Sequence, residues 1–120
     1  TDTMHRVFLK ENTEIEAFTA SYYNSLSLAF SEVTGRSHGG GVLELMPSEA
    51  EQILLPYNPA NKKLLTTIDS MLRNKKSIDE ILSITNQEIL KKGYGLSMKE
   101  IKLADRIWKK LSSRRINRSK

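Results

Sequence analysis

One stretch in the first half of the chain decides the fold: Gly35-Arg36-Ser37-His38-Gly39-Gly40-Gly41-Val42-Leu43-Glu44-Leu45-Met46-Pro47-Ser48-Glu49. Three consecutive glycines permit positive φ and let the backbone lie close to another surface. The apolar run from Val42 to Met46 predicts a short buried strand. Pro47-Ser48 predicts the end of that strand and the start of a helix, because Ser48 and Glu51 have capping-box spacing. The glycines therefore form either a tight loop between a helix and a strand or a loop that approaches a ligand.

Hydrophobic spacing predicts the elements on both sides of this loop. Residues 5–9 alternate in polarity, which predicts a strand. Apolar residues recur at helical spacing over residues 14–34, which predicts one long helix that ends at Gly35. A short helix is expected over residues 48–54, after the predicted strand at residues 42–46.

Three further helices are predicted in the second half of the chain. Their expected N-caps are Asn58, which precedes a proline, and the capping-box residues Ser77 and Ser97. Gly93 is expected to end the second of these helices. The last helix carries its apolar residues on one face: Ile101, Ala104, Trp108 and Leu111. We expect this helix to fray from about Ser112.

The predicted fold class is α+β and mostly helical, with two short strands and a long helix followed by a three-helix C-terminal unit. We divide the chain into two parts on this basis. Residues 1–55 form an α+β part that contains the glycine loop, and residues 58–120 form a helical part that ends in a basic helix and tail.

Length and composition limit the class of protein. The 120 residues correspond to one domain or to one large piece of a domain. The absence of cysteine excludes disulfides, thiolate chemistry and zinc–thiolate sites. No apolar run approaches about 18 residues and no leader pattern is present, so we expect a cytoplasmic protein with no membrane partner. The chain starts at Thr1 and not at a methionine, which we interpret as a piece cut from a longer protein.

Charge is concentrated at the C-terminal end. Residues 99–120 contain nine Lys or Arg and two acidic residues, a net charge of +7, whereas the rest of the chain carries −2. A basic end on a nearly neutral body predicts a polyanionic partner. A solvated helix with a basic tail explains the same pattern and stays open.

The residue patterns indicate a binding module with no catalytic site of its own. No phosphate-binding loop with its lysine is present, and the glycines lead into a strand, not a helix. The two histidines, His5 and His38, have no carboxylates at ligand spacing, so no metal site is predicted. No nucleophile and base stand at a recognisable spacing.

Three blocks in this chain resemble the C-terminal part of bacterial adenine-specific DNA N6-methyltransferases of restriction–modification systems. The blocks are Thr1–Val7, Tyr23–Leu26 and the central Gly35–Glu49. The resemblance implies a preceding Rossmann-like catalytic domain that binds S-adenosylmethionine, so this chain itself needs no cofactor. It also implies that this chain is the target-recognition region, with duplex DNA and the catalytic domain as its partners.

Two groups of residues are expected at the DNA. The first is the glycine loop, whose backbone N–H groups and polar side chains can reach a phosphate or a base edge: Arg36, Ser37, His38, Gly39, Gly40 and Gly41. The second lies on the basic helix and would contact phosphates without reading sequence: Lys99, Lys102, Arg106, Lys109 and Lys110. The alternative function is a helical interaction module that docks on a catalytic domain or a partner subunit without direct DNA contact.

Overall fold

The computed structural model describes residues 6–37 and 41–118 of the chain, and the described part is mostly helical, as predicted. The helices are α1 (Ile15–Tyr22), α2 (Ser25–Thr34), α3 (Pro47–Ala50), α4 (Leu64–Arg73), α5 (Ile78–Thr85) and α6 (Met98–Arg118). A 3₁₀ turn, Pro59–Lys63, leads into α4, and a π-helical segment, Asn86–Lys92, follows α5 directly.

Within residues 6–37 and 41–118, strand structure is confined to one small ribbon beside the glycine loop. Strand β1 (Arg36–Ser37) pairs antiparallel with β2 (Leu43–Glu44), with Arg36 opposite Glu44. The strand predicted over residues 42–46 is therefore found only at its centre, and its partner lies where a loop was predicted. The strand predicted over residues 5–9 is wrong for Arg6–Leu9, which pair with no described strand, while His5 lies outside the described residues.

The long helix predicted over residues 14–34 is two helices, because Asn24 interrupts it. Asn24 is fully buried, and its side-chain oxygen accepts a hydrogen bond from the Ser27 backbone N–H at 2.8 Å. Its side-chain nitrogen donates to the Ser21 carbonyl at 2.6 Å, so one residue ends α1 and begins α2. Apolar residues continue at helical spacing on both sides of Asn24, so the hydrophobic pattern does not indicate the break.

Helix α3 begins one residue earlier than predicted, and its N-cap lies two residues before the predicted one. Met46 is its N-cap, and Glu49, not Glu51, accepts a hydrogen bond from the Met46 backbone N–H at 2.9 Å. The predicted capping box at Ser48 and Glu51 is therefore wrong. Pro47 at the first helical position explains the earlier start, since its fixed φ suits that position.

The caps predicted at Ser77 and Ser97 are confirmed, whereas Asn58 caps the 3₁₀ turn Pro59–Lys63 that leads into α4 and not α4 itself. The side chain of Asn58 accepts a hydrogen bond from the Ala60 N–H at 2.9 Å, and Ser77 caps α5. At α6 both halves of the predicted box are present, because Ser97 and Glu100 each accept a hydrogen bond from the other's backbone N–H, at 3.1 and 2.9 Å.

The predicted stop at Gly93 is wrong. The Gly93 backbone is helical, with φ −76° and ψ −40°. Two residues later, Gly95 adopts φ +68°, the left-handed conformation that ends many helices. After the π-helical segment, Gly93 and Tyr94 remain helical, so the helix ends just before Gly95.

The hydrophobic core draws on both halves of the chain. Its buried members come from α1, α4, α5, the π-helical segment and α6: Ala20, Leu64, Ile68, Ile81, Ile89, Leu90 and Ile101. Among the described elements, α2 and α6 form the most extensive contact. The division into residues 1–55 and 58–120 stays a prediction about sequence organisation, and the two parts share this core.

Candidate nucleic-acid interface

Helix α6 presents a row of basic side chains to solvent. Its opposite face packs on the core through Ile101 and Ala104, which are 4% and 5% exposed. At about 100° per residue, four exposed cations fall within an arc of about 80° on the outer face. We call these four residues the basic stripe: Lys99, Lys102, Arg106 and Lys110.

The fifth predicted cation of α6, Lys109, lies beside the stripe and is held by two carboxylates. Its Nζ is 2.9 Å from Asp105 and 3.1 Å from Asp79. Hydrogen bonds to Asp105 and Asp79 raise the pKa of Lys109. The four stripe residues make no ion pair with any described residue, so their charges are free to meet an external anion.

A polar network fixes α6 against the start of α2. Asn86 accepts a hydrogen bond from the Ser25 backbone N–H at 2.9 Å and donates one to the Ser25 hydroxyl at the same distance. The Ser25 hydroxyl in turn donates to Asp105 at 3.1 Å. Because Ser25 is fully buried, this network holds Asp105, and through it Lys109, in one place.

A charged clamp joins the far end of α6 to α2 and the glycine loop. Arg115 donates to both oxygens of Glu32, with Nε–Oε1 3.1 Å and Nη2–Oε2 2.7 Å. The two side chains are 17% and 5% exposed. A third guanidinium hydrogen bond reaches the Gly41 carbonyl. We call Arg115, Glu32 and Gly41 the arginine clamp.

The clamp explains why the predicted fraying from Ser112 is wrong. Helix α6 continues to Arg118, since Arg115 is anchored on α2. Sequence reasoning assigned Arg115 to the basic tail and overlooked Glu32. A signal was present: Arg115 follows Leu111 by four residues and continues the buried face of α6 by one turn.

Of the predicted loop residues, Arg36 is the one whose side chain is described. It lies on β1 with 69% of its side chain exposed, and its Nε is 3.3 Å from Glu49. The hydrogen bond from the Met46 backbone, followed by those from Arg36, lowers the pKa of Glu49. Gly41 closes the loop with φ +77°, a conformation that suits glycine.

The other loop predictions are only partly covered. Ser37 is described through its backbone on β1, and His38, Gly39 and Gly40 lie outside the described residues. The structure brings the Gly41 end of the loop against α6 through Arg115.

The described residues contain no group of three or more His, Cys, Asp or Glu side chains that could hold a metal ion. Within the same residues, no helix has both the length and the apolar character needed to cross a bilayer.

Comparison with known proteins places the chain in a family. Residues 1–90 match the family model described as Type II methyltransferase M.Eco57I, C-terminal domain. A search of curated proteins and a search of solved structures each gave no match. The matched region includes the glycine loop and the first five helices, while α6 follows it. Since the match covers three quarters of the chain, this protein belongs to the family of M.Eco57I-type methyltransferase C-terminal domains, as the three sequence blocks predict.

Proposed function

We propose that this chain is the DNA target-recognition region of an adenine-N6 methyltransferase of a restriction–modification system. In this proposal it binds duplex DNA and positions it for methyl transfer. A preceding catalytic domain would bind S-adenosylmethionine and carry out the reaction. Membership of a methyltransferase family supports the setting, and the unpaired basic stripe on α6 is the observation that supports DNA binding.

The stripe suits a phosphate backbone. From Lys99 to Lys110 it extends about 16 Å along the helix, at about 1.5 Å per residue. Contacts between these side chains and phosphates release counterions and add affinity without reading sequence. Lys109, already paired with Asp105 and Asp79, is expected to contribute less than the stripe residues.

The glycine loop is the proposed reader of bases. Arg36 is exposed, and a guanidinium can donate two hydrogen bonds to the O6 and N7 atoms of guanine. Binding in this way requires Arg36 to exchange Glu49 for the base. Backbone N–H groups of residues 38–41 would lie close to the DNA, as the sequence predicts.

The test is a salt titration of duplex DNA binding. We expect the triple variant K102A/R106A/K110A to lower the slope of log K against log salt by about 2.7, because each lost phosphate contact removes about 0.9. Lys109→Ala should change the slope by much less. Lys91→Ala removes the same charge from an exposed position outside α6 and serves as the matched control.

The control decides whether the basic stripe or the net charge of the chain is responsible for DNA binding. If Lys91→Ala and the stripe variants weaken binding equally per charge, the DNA contact is diffuse and the stripe has no special role. If the slope of the triple variant equals that of the wild type, α6 does not contact DNA.

A further inference from the structure

An apolar groove runs between α2 and α6. Side chains from α2 form one wall and side chains from α6 form the other, and the groove encloses about 390 Å³. Several of these side chains are strongly exposed for apolar groups: Val33 is 64%, Leu103 53% and Ile107 38% exposed. We call it the α2–α6 groove and define it by Leu26, Phe30, Val33, Leu103 and Ile107.

The α6 wall of the groove changes from apolar to basic along its length. Leu103, Ile107, Lys110 and Arg114 follow one another at spacings of four, three and four residues, so they lie along one side of the helix. The first two border the groove, and the next two, both exposed, border a shallow depression beyond it. An apolar surface about one turn long is therefore continued by about one turn of positive charge.

Nothing described neutralises that charge. Lys110 and Arg114 form no ion pair with described residues. The acid that lines the groove, Glu100, lies at the other end and accepts the hydrogen bond from the Ser97 N–H at 2.9 Å. A partner that complements this side of α6 must be apolar beside Leu103 and Ile107 and acidic beside Arg114.

We propose that the α2–α6 groove binds a helix of a protein partner with that chemistry. The partner helix presents apolar residues at positions i, i+3 and i+7 or i, i+4 and i+7, which is the spacing that fills a groove between two helices. Acidic residues follow one to two turns further along the same side. Glu100 to Arg114 spans about 21 Å, which corresponds to about four turns of partner helix.

This site is separate from the proposed DNA contact. The basic stripe centres on the outer face of α6, and the groove lies on the flank that faces α2. Lys110 stands at the border of both surfaces, whereas Leu103 and Arg114 belong to the groove side alone. Variants of Leu103 and Arg114 therefore test the groove without altering the stripe.

The experiment measures binding of a labelled 15-residue peptide to the full chain by fluorescence anisotropy. The peptide has Leu at positions 1, 4 and 8, Glu at positions 11 and 15, and Ala or Gln elsewhere. A second peptide carries Lys in place of Glu. We expect the acidic peptide to bind more tightly, Leu103→Asp to weaken it at least about tenfold, and Arg114→Glu to reverse the preference between the peptides.

Matched controls keep the test decisive. Leu72→Asp introduces the same charge at a residue that is 47% exposed on α4 and should leave peptide binding unchanged. The salt slope for duplex DNA should be the same for Leu103→Asp as for the wild type, so failure of the groove proposal is distinguishable from failure of the DNA proposal.

Three outcomes would overturn the proposal. The first is equal binding of the acidic and basic peptides. The second is concentration-dependent self-association that Leu103→Asp abolishes, which would make a second copy the occupant. The third is binding to phosphatidylserine vesicles that is lost in Leu103→Asp, without binding of the acidic peptide, which would identify a lipid surface.

Discussion

Replacing Arg115 by Ala would leave the Glu32 carboxylate, which is 5% exposed, without the two hydrogen bonds that Arg115 donates. An unpaired buried charge is costly, and breaking a buried pair from one side destabilises proteins by about 3–5 kcal/mol. We expect a loss of that size in the free energy of unfolding, measured by urea denaturation at pH 7.

The neighbouring Arg114 provides the control for this residue-scale prediction. Arg114→Ala removes the same charge from the same helix at an exposed position, and it should change stability by less than about 0.5 kcal/mol. The double variant E32M/R115M, which removes both charges, should recover most of the loss. Equal effects of Arg114→Ala and Arg115→Ala would mean that the clamp contributes little.

At the scale of one element, the N-terminus of α6 predicts a pH dependence. The hydrogen bonds from the backbone and then the side chain of Ser97 lower the pKa of Glu100. A pKa that is lower in the folded state contributes stability above the unfolded value, about 4.3, and loses it as the pH falls through the folded value. Wild type and Glu100→Gln should therefore differ in Tm at pH 6, and this difference should shrink as the pH falls below about 4.3.

The pH profile has its own control at the residue that follows α3. Glu51 is exposed and accepts no hydrogen bond from a described residue, so Glu51→Gln should follow the wild-type Tm profile throughout. A Glu100→Gln profile parallel to that of Glu51→Gln would show that the cap at α6 does not depend on the carboxylate charge.

The sequence predicted features of the helices well where all the residues involved lie close together in the chain. The cap at Ser97 involves two residues three apart, so it can be recognised from the sequence. Asn24 could not be recognised as a break, because its three hydrogen bonds depend on its burial between two helices. The pairing of β1 with β2 was also missed, since a two-residue ladder is too short to produce a periodic pattern.

The candidate site was likewise predictable from the sequence only in part. The basic stripe follows from helical spacing, and the structure keeps it on one face. The Asp79 partner of Lys109 and the Glu32 partner of Arg115 were not predictable, because both acids are distant in sequence and meet these cations only after folding. A count of charges in the sequence does not distinguish these cations. In the folded protein Lys109 and Arg115 form ion pairs, whereas the stripe residues form none with described residues.

At the scale of the whole molecule, the shared core predicts how the two parts behave when separated. The piece 58–120 lacks Ala20, a core member, and lacks α2, the main packing surface of α6. Buried apolar surface is the main stabilising contribution to folding, so we expect this piece to show reduced helicity by circular dichroism and no cooperative thermal transition. A sharp transition like that of the full chain would establish residues 58–120 as an independent domain.

The position of Ile101 and Arg115 matters for exchanging C-terminal domains between proteins of this family. The family match ends at residue 90, inside the π-helical segment Asn86–Lys92, whereas both side chains hold α6 to the rest of the molecule. A chimera with its crossover at residue 90 would join this core to the last helix of another protein. That helix would carry no residue that pairs with Glu32. Grafts that move this domain from one protein of the family to another should transfer α6 together with the glycine loop.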